Sequence, residues 1–169
     1  MTRLAALLGS ALVIGVLTVS SGNTAESARP SFVAPPAVLV QYGHIRSLVR
    51  SGRKYRMRFD PALWLSGATA NRAAVEDGVI PPGEAIPNDY YVRDESHKQL
   101  TYLVAPGARA TVITQGASGL RSTRISVSEL AALVKGKNPN GRKLYGVQLG
   151  YWIRVASDTV RALDQQYQP

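Results

Sequence analysis

The stretch Phe59-Asp60-Pro61-Ala62-Leu63-Trp64-Leu65, which continues to Pro87-Asn88-Asp89-Tyr90-Tyr91, lies where three kinds of structure are predicted to meet. A basic strand reaches its end there, a short alanine-rich helix follows, and a proline-rich loop comes last. The stretch is acidic, although the whole chain has a net charge of +9. We therefore expect the other elements to be arranged around this junction.

The residues before the junction are predicted to form a β-hairpin. Val38–Val49 is rich in strand-forming residues, and Ser51-Gly52 is a typical turn signal. After the turn, cations alternate with apolar residues at a period of two, as expected for a half-buried antiparallel strand. Asp60-Pro61 is predicted to end this strand, because proline cannot donate to the ladder. The cationic face carries Lys54, Arg56 and Arg58, and the apolar face carries Tyr55, Met57 and Phe59.

The junction itself is predicted to contain a helix, a loop and a short strand. Ser66 or Thr69 is the expected N-cap of a helix over Ala68–Asp77, and Gly78 is the expected C′ residue. Prolines make the next segment a loop. The loop is assigned to Val79–Asn88 and the short strand to Tyr90–Arg93.

The second half of the chain is predicted to contain four strands and a second helix. Ser126 and Glu129 have the spacing of a capping box, which predicts a helix over Val127–Lys135. Pro106-Gly107 and Ala156-Ser157-Asp158 are turn signals, and Gln115–Arg121 is a loop rich in glycine and serine. The strands are assigned to Gln99–Val104, Ala110–Thr114, Lys143–Val155 and Thr159–Gln166.

These elements predict a mainly β protein of the α+β class. Six or so strands in hairpins with two short helices suggest a small antiparallel barrel. An OB-like barrel fits, because a helix between its strands commonly covers the open end. The composition, 45% hydrophobic and 18% charged, is typical of one globular domain, which we assign to residues 38–169.

The N-terminal residues have the pattern of an export signal. Arg3 precedes the uncharged apolar run Leu4–Val19, which is shorter than the roughly 20 residues that span a bilayer. Residues 1–28 are predicted to be a cleaved signal peptide or an uncleaved N-terminal anchor. Residues 29–37 are rich in serine, alanine and proline and are predicted to be an extended linker. We expect a secreted or extracytoplasmic protein, or one held to the membrane by its N-terminal segment.

The sequence contains no recognisable catalytic or metal-binding pattern. The absence of cysteine excludes disulfides, thiolate nucleophiles and cysteine-ligated zinc. His44 and His97 lack the helical spacing of zinc ligands and are interpreted as surface or edge residues. Gly116-Ala117-Ser118-Gly119 lacks the spacing of a nucleophile elbow, and the acidic residues form no EF-hand loop. No catalytic residue, metal ion or cofactor is predicted, and a role other than catalysis is favoured.

The charges are distributed unevenly along the chain. Gly43–Phe59 contains six cations and no acid, whereas Glu76–Glu95 contains six acids and one cation, Arg93. This division indicates either an anion-binding face or two segments that neutralise each other. The candidate ligand-binding residues are Lys54, Arg56, Arg58, Asp60, Asn71, Asp89 and Tyr91.

Two groups of side chains have a second interpretation. Aromatic residues could form a stacking platform beside the basic strand, although a place in the core is favoured. Asp60, Asn88 and Asp89 are predicted to act mainly in structure, by fixing turns through hydrogen bonds to the backbone. The aromatic residues are Trp64, Tyr90, Tyr91, Tyr145, Tyr151 and Trp152.

The chain resembles a family of secreted proteins of high-GC Gram-positive (actinobacterial) bacteria that has no assigned activity. The resemblance rests on Phe59-Asp60-Pro61, Glu76-Asp77-Gly78 and Pro87-Asn88-Asp89-Tyr90-Tyr91, together with Trp152-Ile153-Arg154-Val155 and the closing Gln166-Tyr167-Gln168-Pro169. It covers most of residues 38–169. The resemblance implies export and a bacterial source, and it implies no site residue.

Three function classes follow from these observations. The leading hypothesis is a non-enzymatic binding module of the cell envelope, with an anionic wall polymer or lipid head groups as its partner. Nucleic acid is a less favoured partner, because the chain is expected to be exported. The alternatives are a secreted hydrolase that uses carboxylates and a structural or assembly accessory protein.

Overall fold

A computed structural model describes residues 37–94 and 98–169. The predicted signal or anchor segment, the predicted linker up to residue 36, Glu95 and His97 lie outside the described residues. The described residues form seven strands and two helices. In chain order they are β1 (Val38–Ser51), β2 (Lys54–Ser66), α1 (Gly67–Glu76), β3 (Tyr90–Arg93), β4 (Leu100–Gly116), β5 (Gly119–Ile125), α2 (Val127–Val134), β6 (Tyr151–Ala156) and β7 (Thr159–Gln165).

Five of these strands close into a barrel. β1 pairs with β2 and β6, β2 also pairs with β4, and β7 joins β4 to β6. Counted along the barrel strands alone, the third and fifth strands are parallel and the other neighbours are antiparallel. This is the connectivity of an OB-type barrel, a five-stranded Greek-key barrel. The predicted β class, small barrel and two helices are confirmed, and the one parallel pair was not anticipated.

The alternation along β2 places its apolar face in the barrel core. Met57 and Phe59 are fully buried, whereas the three cations between and before them are exposed. α2 packs against β1 and β4 and contributes Leu130 and Leu133 to the same core. The period of two therefore determines which face of β2 is available to a ligand.

Both predicted helices are present. The Ser126 Oγ accepts a hydrogen bond from the Glu129 N–H at 3.1 Å, which confirms the predicted N-cap of α2. α1 begins after Ser66 and buries three alanines, and Gly78 follows it with φ 70°. No helix within residues 37–94 and 98–169 is long and apolar enough to cross a membrane.

β2 continues through Pro61 to Ser66, so the prediction that Asp60-Pro61 ends the strand is wrong. On one side, β2 pairs with β1 as far as Ala62. On the other side, it pairs with β4 up to Phe59 and with β3 from Leu63 onward. Pro61 lies between these two partners, where the missing N–H costs no hydrogen bond to either of them.

β4 is one strand of 17 residues, so the prediction of two strands joined by a turn at Pro106-Gly107 is also wrong. Between Val104 and Arg109 the register of β4 shifts against β7, which advances only from Val160 to Ala162. An irregularity of this kind bends a strand without ending it. The proline–glycine pair therefore marks a bend in β4.

Two further assignments differ from the sequence analysis. β5 was not predicted, because its polar and cationic residues lack a clear apolar alternation. The predicted strand over Lys143–Val155 is shorter than expected, since β6 begins only at Tyr151. The turn between β6 and β7 is as predicted, with φ of 47° at Ser157 and 55° at Asp158.

Candidate functional site

Three exposed cations on the outer face of β2 form what we call the basic row: Lys54, Arg56 and Arg58. Successive members are two residues apart on an extended strand, so their Cα atoms are roughly 7 Å apart. Their cross-strand neighbours on β4 include Thr101 and Leu103, which are exposed and uncharged. Within the described residues, no carboxylate oxygen lies within 4.0 Å of a basic-row nitrogen. The charges of the basic row are therefore available to a ligand.

The described acidic residues of the Glu76–Glu95 segment that form ion pairs contact Arg93 and Arg46 rather than the basic row. Arg93 Nη2 lies 3.0 Å from Glu76 Oε2 and 2.8 Å from Asp77 Oδ1. The hydrogen bonds from Arg93 hold the pKa of the Asp77 carboxyl below its ordinary value. The one ion pair between this segment and the cations of residues 43–59, in the described part of the chain, joins Arg46 and Asp94 at 4.0 Å. Among the acids that the structure describes in this segment, mutual neutralisation therefore does not extend to the basic row.

Asp60 is buried beside the end of the basic row and pairs with Arg46. The Asp60 Oδ2 accepts hydrogen bonds from Arg46 Nε at 2.8 Å and from Nη2 at 2.6 Å. Asp60 Oδ1 and His44 Nδ1 are buried without a hydrogen-bond partner among the described residues, and the two residues face each other across β1 and β2. Asp60 therefore ties two strands through a side-chain pair, and the prediction that it fixes a turn through the backbone is wrong.

The other candidate residues hold α1, the loop after it and β3 together. The Asn71 Oδ1 accepts a hydrogen bond from the Ile86 N–H at 3.0 Å, and the Tyr91 hydroxyl donates to Asp77 at 2.9 Å. Asp89 is exposed at φ 51°, and its carbonyl accepts from the Gly67 N–H at 3.3 Å. These contacts are structural. Tyr91 lies opposite Leu65, near the end of β2 that is away from the basic row, and Asn88 is exposed in the loop before β3.

An aromatic cluster lies on the outer face of the barrel near the other end of β2. Trp64 stacks on Tyr90 with ring centroids 4.3 Å apart, and Tyr42 contacts Trp64 at 5.1 Å and Trp152 at 5.2 Å. Burial, followed by the neighbouring Tyr90, raises the pKa of Tyr42 to about 12. The cluster borders an open groove of about 480 Å³. The aromatic side chains thus divide between core and surface, since Tyr151 is buried in the barrel.

The sequence analysis did not identify Tyr42 as part of this cluster. Its signal is the period of two in β1, which places Val40, Tyr42 and His44 on one face. The partners of that face come from β2 and β6 and cannot be read from β1 alone. Tyr145 belongs to a different contact, with Tyr167 at 5.4 Å.

Two further carboxylates are held in their charged form by arginine. Hydrogen bonding from Arg142 lowers the pKa of Glu129. Burial opposes ionisation of Asp164, but hydrogen bonds from Arg109, Thr111 and Arg154 lower its pKa below the ordinary value. A general acid requires the opposite shift. The described residues contain no group of three histidine, cysteine or acidic side chains that could hold a metal ion.

Comparisons with protein-family models, with curated proteins and with solved structures find no match for this chain. The resemblance to secreted actinobacterial proteins therefore stays a prediction.

Proposed function

We propose that the protein is a non-enzymatic binding module of the bacterial cell envelope, and that the basic row binds anionic wall polymers or lipid head groups. The observation that carries this proposal is the exposure of three cations on one strand face with no carboxylate partner in the described residues. Among the described acids, Asp60 is paired with Arg46, and Glu76 and Asp77 are paired with Arg93, so these three do not compete for the row.

The position of the row on the barrel gives independent support. OB-type barrels bind extended ligands on the face of their second and third strands and on the adjoining loops. In this chain those strands are β2 and β4, and the basic row lies on β2 directly after the β1–β2 turn. A fold alone does not specify a ligand, so the charge of this face determines the class of ligand.

A weak, salt-sensitive interaction is expected. Each exposed cation near an anionic membrane contributes about 1 kcal/mol, so the row supplies about 3 kcal/mol before counterions screen it. Nucleic acid attracts the same charges. Export, which the N-terminal sequence predicts, makes a wall polymer or a lipid surface the favoured partner.

The test is co-sedimentation of the protein with vesicles of phosphatidylglycerol and phosphatidylcholine, and with purified cell walls, at low and high salt. Changing Lys54, Arg56 and Arg58 to glutamine should remove most of the binding at low salt. The matched control changes three exposed cations elsewhere, Lys135, Lys137 and Arg161, to glutamine. Both variants lose the same formal charge, so only a local site distinguishes them.

Equal losses in the two triple variants would mean that net charge alone drives adhesion. Unchanged binding by the basic-row variant would overturn the proposal. Hydrolysis of wall material by the wild-type protein would instead favour the carboxylate-based hydrolase. In that case, replacement of single carboxylates would be the next measurement.

A further inference from the structure

In the part of the chain that the structure describes, the first residues of β1 have an unpaired edge. Residues from Val38 to Gln41 pair with β6 on one side, where Val38 lies opposite Ala156. Pairing with β2 begins only at Tyr42, opposite Ala62. After Ala62, β2 pairs with β3 instead of β1, so this part of β2 and the residues of β1 before Tyr42 diverge. No strand of the described residues pairs with the free side of β1, where alternate residues direct their N–H and C=O groups outward.

The space between the diverging strands is the groove of about 480 Å³ described above. One wall comes from Val40 and Tyr42 on β1, and the other from Leu63 and Trp64 on β2, with Trp152 adjoining. The apolar side chains at this edge are half exposed: Val38 at 55%, Leu39 at 51%, Val40 at 48% and Leu63 at 54%. An exposed apolar strand edge of this kind readily pairs with another chain.

We infer that the groove binds an extended segment of another polypeptide, which adds to the free edge of β1 as an extra strand. The edge spans four residues, or roughly 13 Å, which is enough for a short peptide in the extended conformation. Backbone hydrogen bonds supply affinity in such complexes, and pockets for alternate side chains supply selectivity. The partner segment therefore has apolar residues at alternate positions. A sugar would stack on the aromatic rings and use its hydroxyls, but these do not repeat with the regular spacing of the N–H and C=O groups along a strand edge.

The charged side chains beside the groove indicate one further property of the partner segment. Arg154 is the cross-strand neighbour of Val40 and is exposed. It shares the Asp164 carboxylate with Arg109, with N···O distances of 2.6 Å and 2.5 Å. Two cations against one anion leave this corner positive. An acidic residue next to the apolar positions of the partner would complement it.

The probe is an acetylated and amidated octapeptide of alternating valine and threonine with a glutamate at each end. Trp64 and Trp152 are the two tryptophans of the chain and both line the groove, so intrinsic fluorescence reports occupancy directly. We expect a saturable change in fluorescence and slower hydrogen exchange at the amides of residues 38–41. The control peptide has the same side chains with every backbone nitrogen methylated, which removes the N–H donors of both its edges. It should not bind.

Val40→Glu should weaken binding of the octapeptide by about tenfold, because it places a charge in the groove and repels the acidic flank. The matched control is Val79→Glu, at a valine of similar exposure in the loop after α1, which should leave affinity unchanged. The inference is wrong if the methylated peptide binds equally well, or if no saturable change occurs up to about 1 mM octapeptide. A response to an oligosaccharide of N-acetylglucosamine but not to the peptide would identify a sugar site instead. The basic row lies at the other end of β2, so failure here leaves the proposed function untouched.

Discussion

Replacing Arg46 by alanine should destabilise the fold more than replacing its partner Asp60. Asp60 is only 3% exposed. Its carboxylate accepts two side-chain hydrogen bonds among the described residues, and Arg46 donates both of them. The Arg46→Ala variant therefore leaves a buried charge with no partner among the described residues. Breaking a buried pair in this way costs about 3–5 kcal/mol. Because the Arg46 side chain is 49% exposed, we expect a value near the lower end, about 3 kcal/mol.

The reverse change has a smaller effect for a physical reason. In Asp60→Ala the remaining guanidinium is half exposed and can be hydrated, so the loss is at the low end of the range for a hydrogen bond to a charged group, about 1.5 kcal/mol. The double variant should be more stable than the sum of the two single changes predicts, by about 1–2 kcal/mol. This non-additivity isolates the pair from other effects of each substitution.

The assay is urea unfolding followed by tryptophan fluorescence and circular dichroism. A loss of about 3 kcal/mol should also lower the melting temperature by about 10 °C in a domain of this size. Arg56→Ala is the control, since Arg56 is exposed on β2 without a carboxylate partner in the described residues, and should change stability by about 0.5 kcal/mol or less. The buried pair does not stabilise the barrel if Arg46→Ala is no more destabilising than Arg56→Ala. The same conclusion follows if the loss of stability in the double variant equals the sum of the two single losses.

Two further predictions concern backbone packing and pH. A Cβ added at Gly43 would collide with the Asp60 carbonyl oxygen, so Gly43→Ala should lower the free energy of unfolding by about 1–3 kcal/mol in urea titrations. A Cβ added at Gly107 meets no atom within 4 Å, so Gly107→Ala should be neutral. A neutral Gly43→Ala would contradict the close approach of β1 and β2. The lowered pKa of Glu129, caused first by Arg142, contributes stability above its ordinary value of 4.5 that is lost as the pH falls through the folded pKa. Melting temperatures recorded from pH 7 downward should therefore show a smaller acid loss in Arg142→Gln than in the wild type, and parallel curves would exclude a contribution from this pair.

Local patterns in the sequence were sufficient where neighbouring residues determine the outcome. The alternation along β2 identifies the face that carries Lys54, Arg56 and Arg58, because side chains of a strand point to opposite sides in turn. The spacing of Ser126 and Glu129 identifies the start of α2, because the cap bond spans only three residues. The predicted barrel follows from these elements, since half-apolar strands and short helices must bury their apolar faces together.

The tertiary structure decided what depends on residues far apart in the chain. Pro61 lies inside β2 between the residues that pair with β4 and those that pair with β3, and no local pattern reveals which partner a strand has on each side. The Arg46–Asp60 pair likewise depends on the register of β1 against β2. The groove exists because the first part of β1 pairs with β6, whereas the last part of β2 pairs with β3. Strand pairing is set by packing over the whole barrel, and short-range preference places no constraint on which distant strands meet.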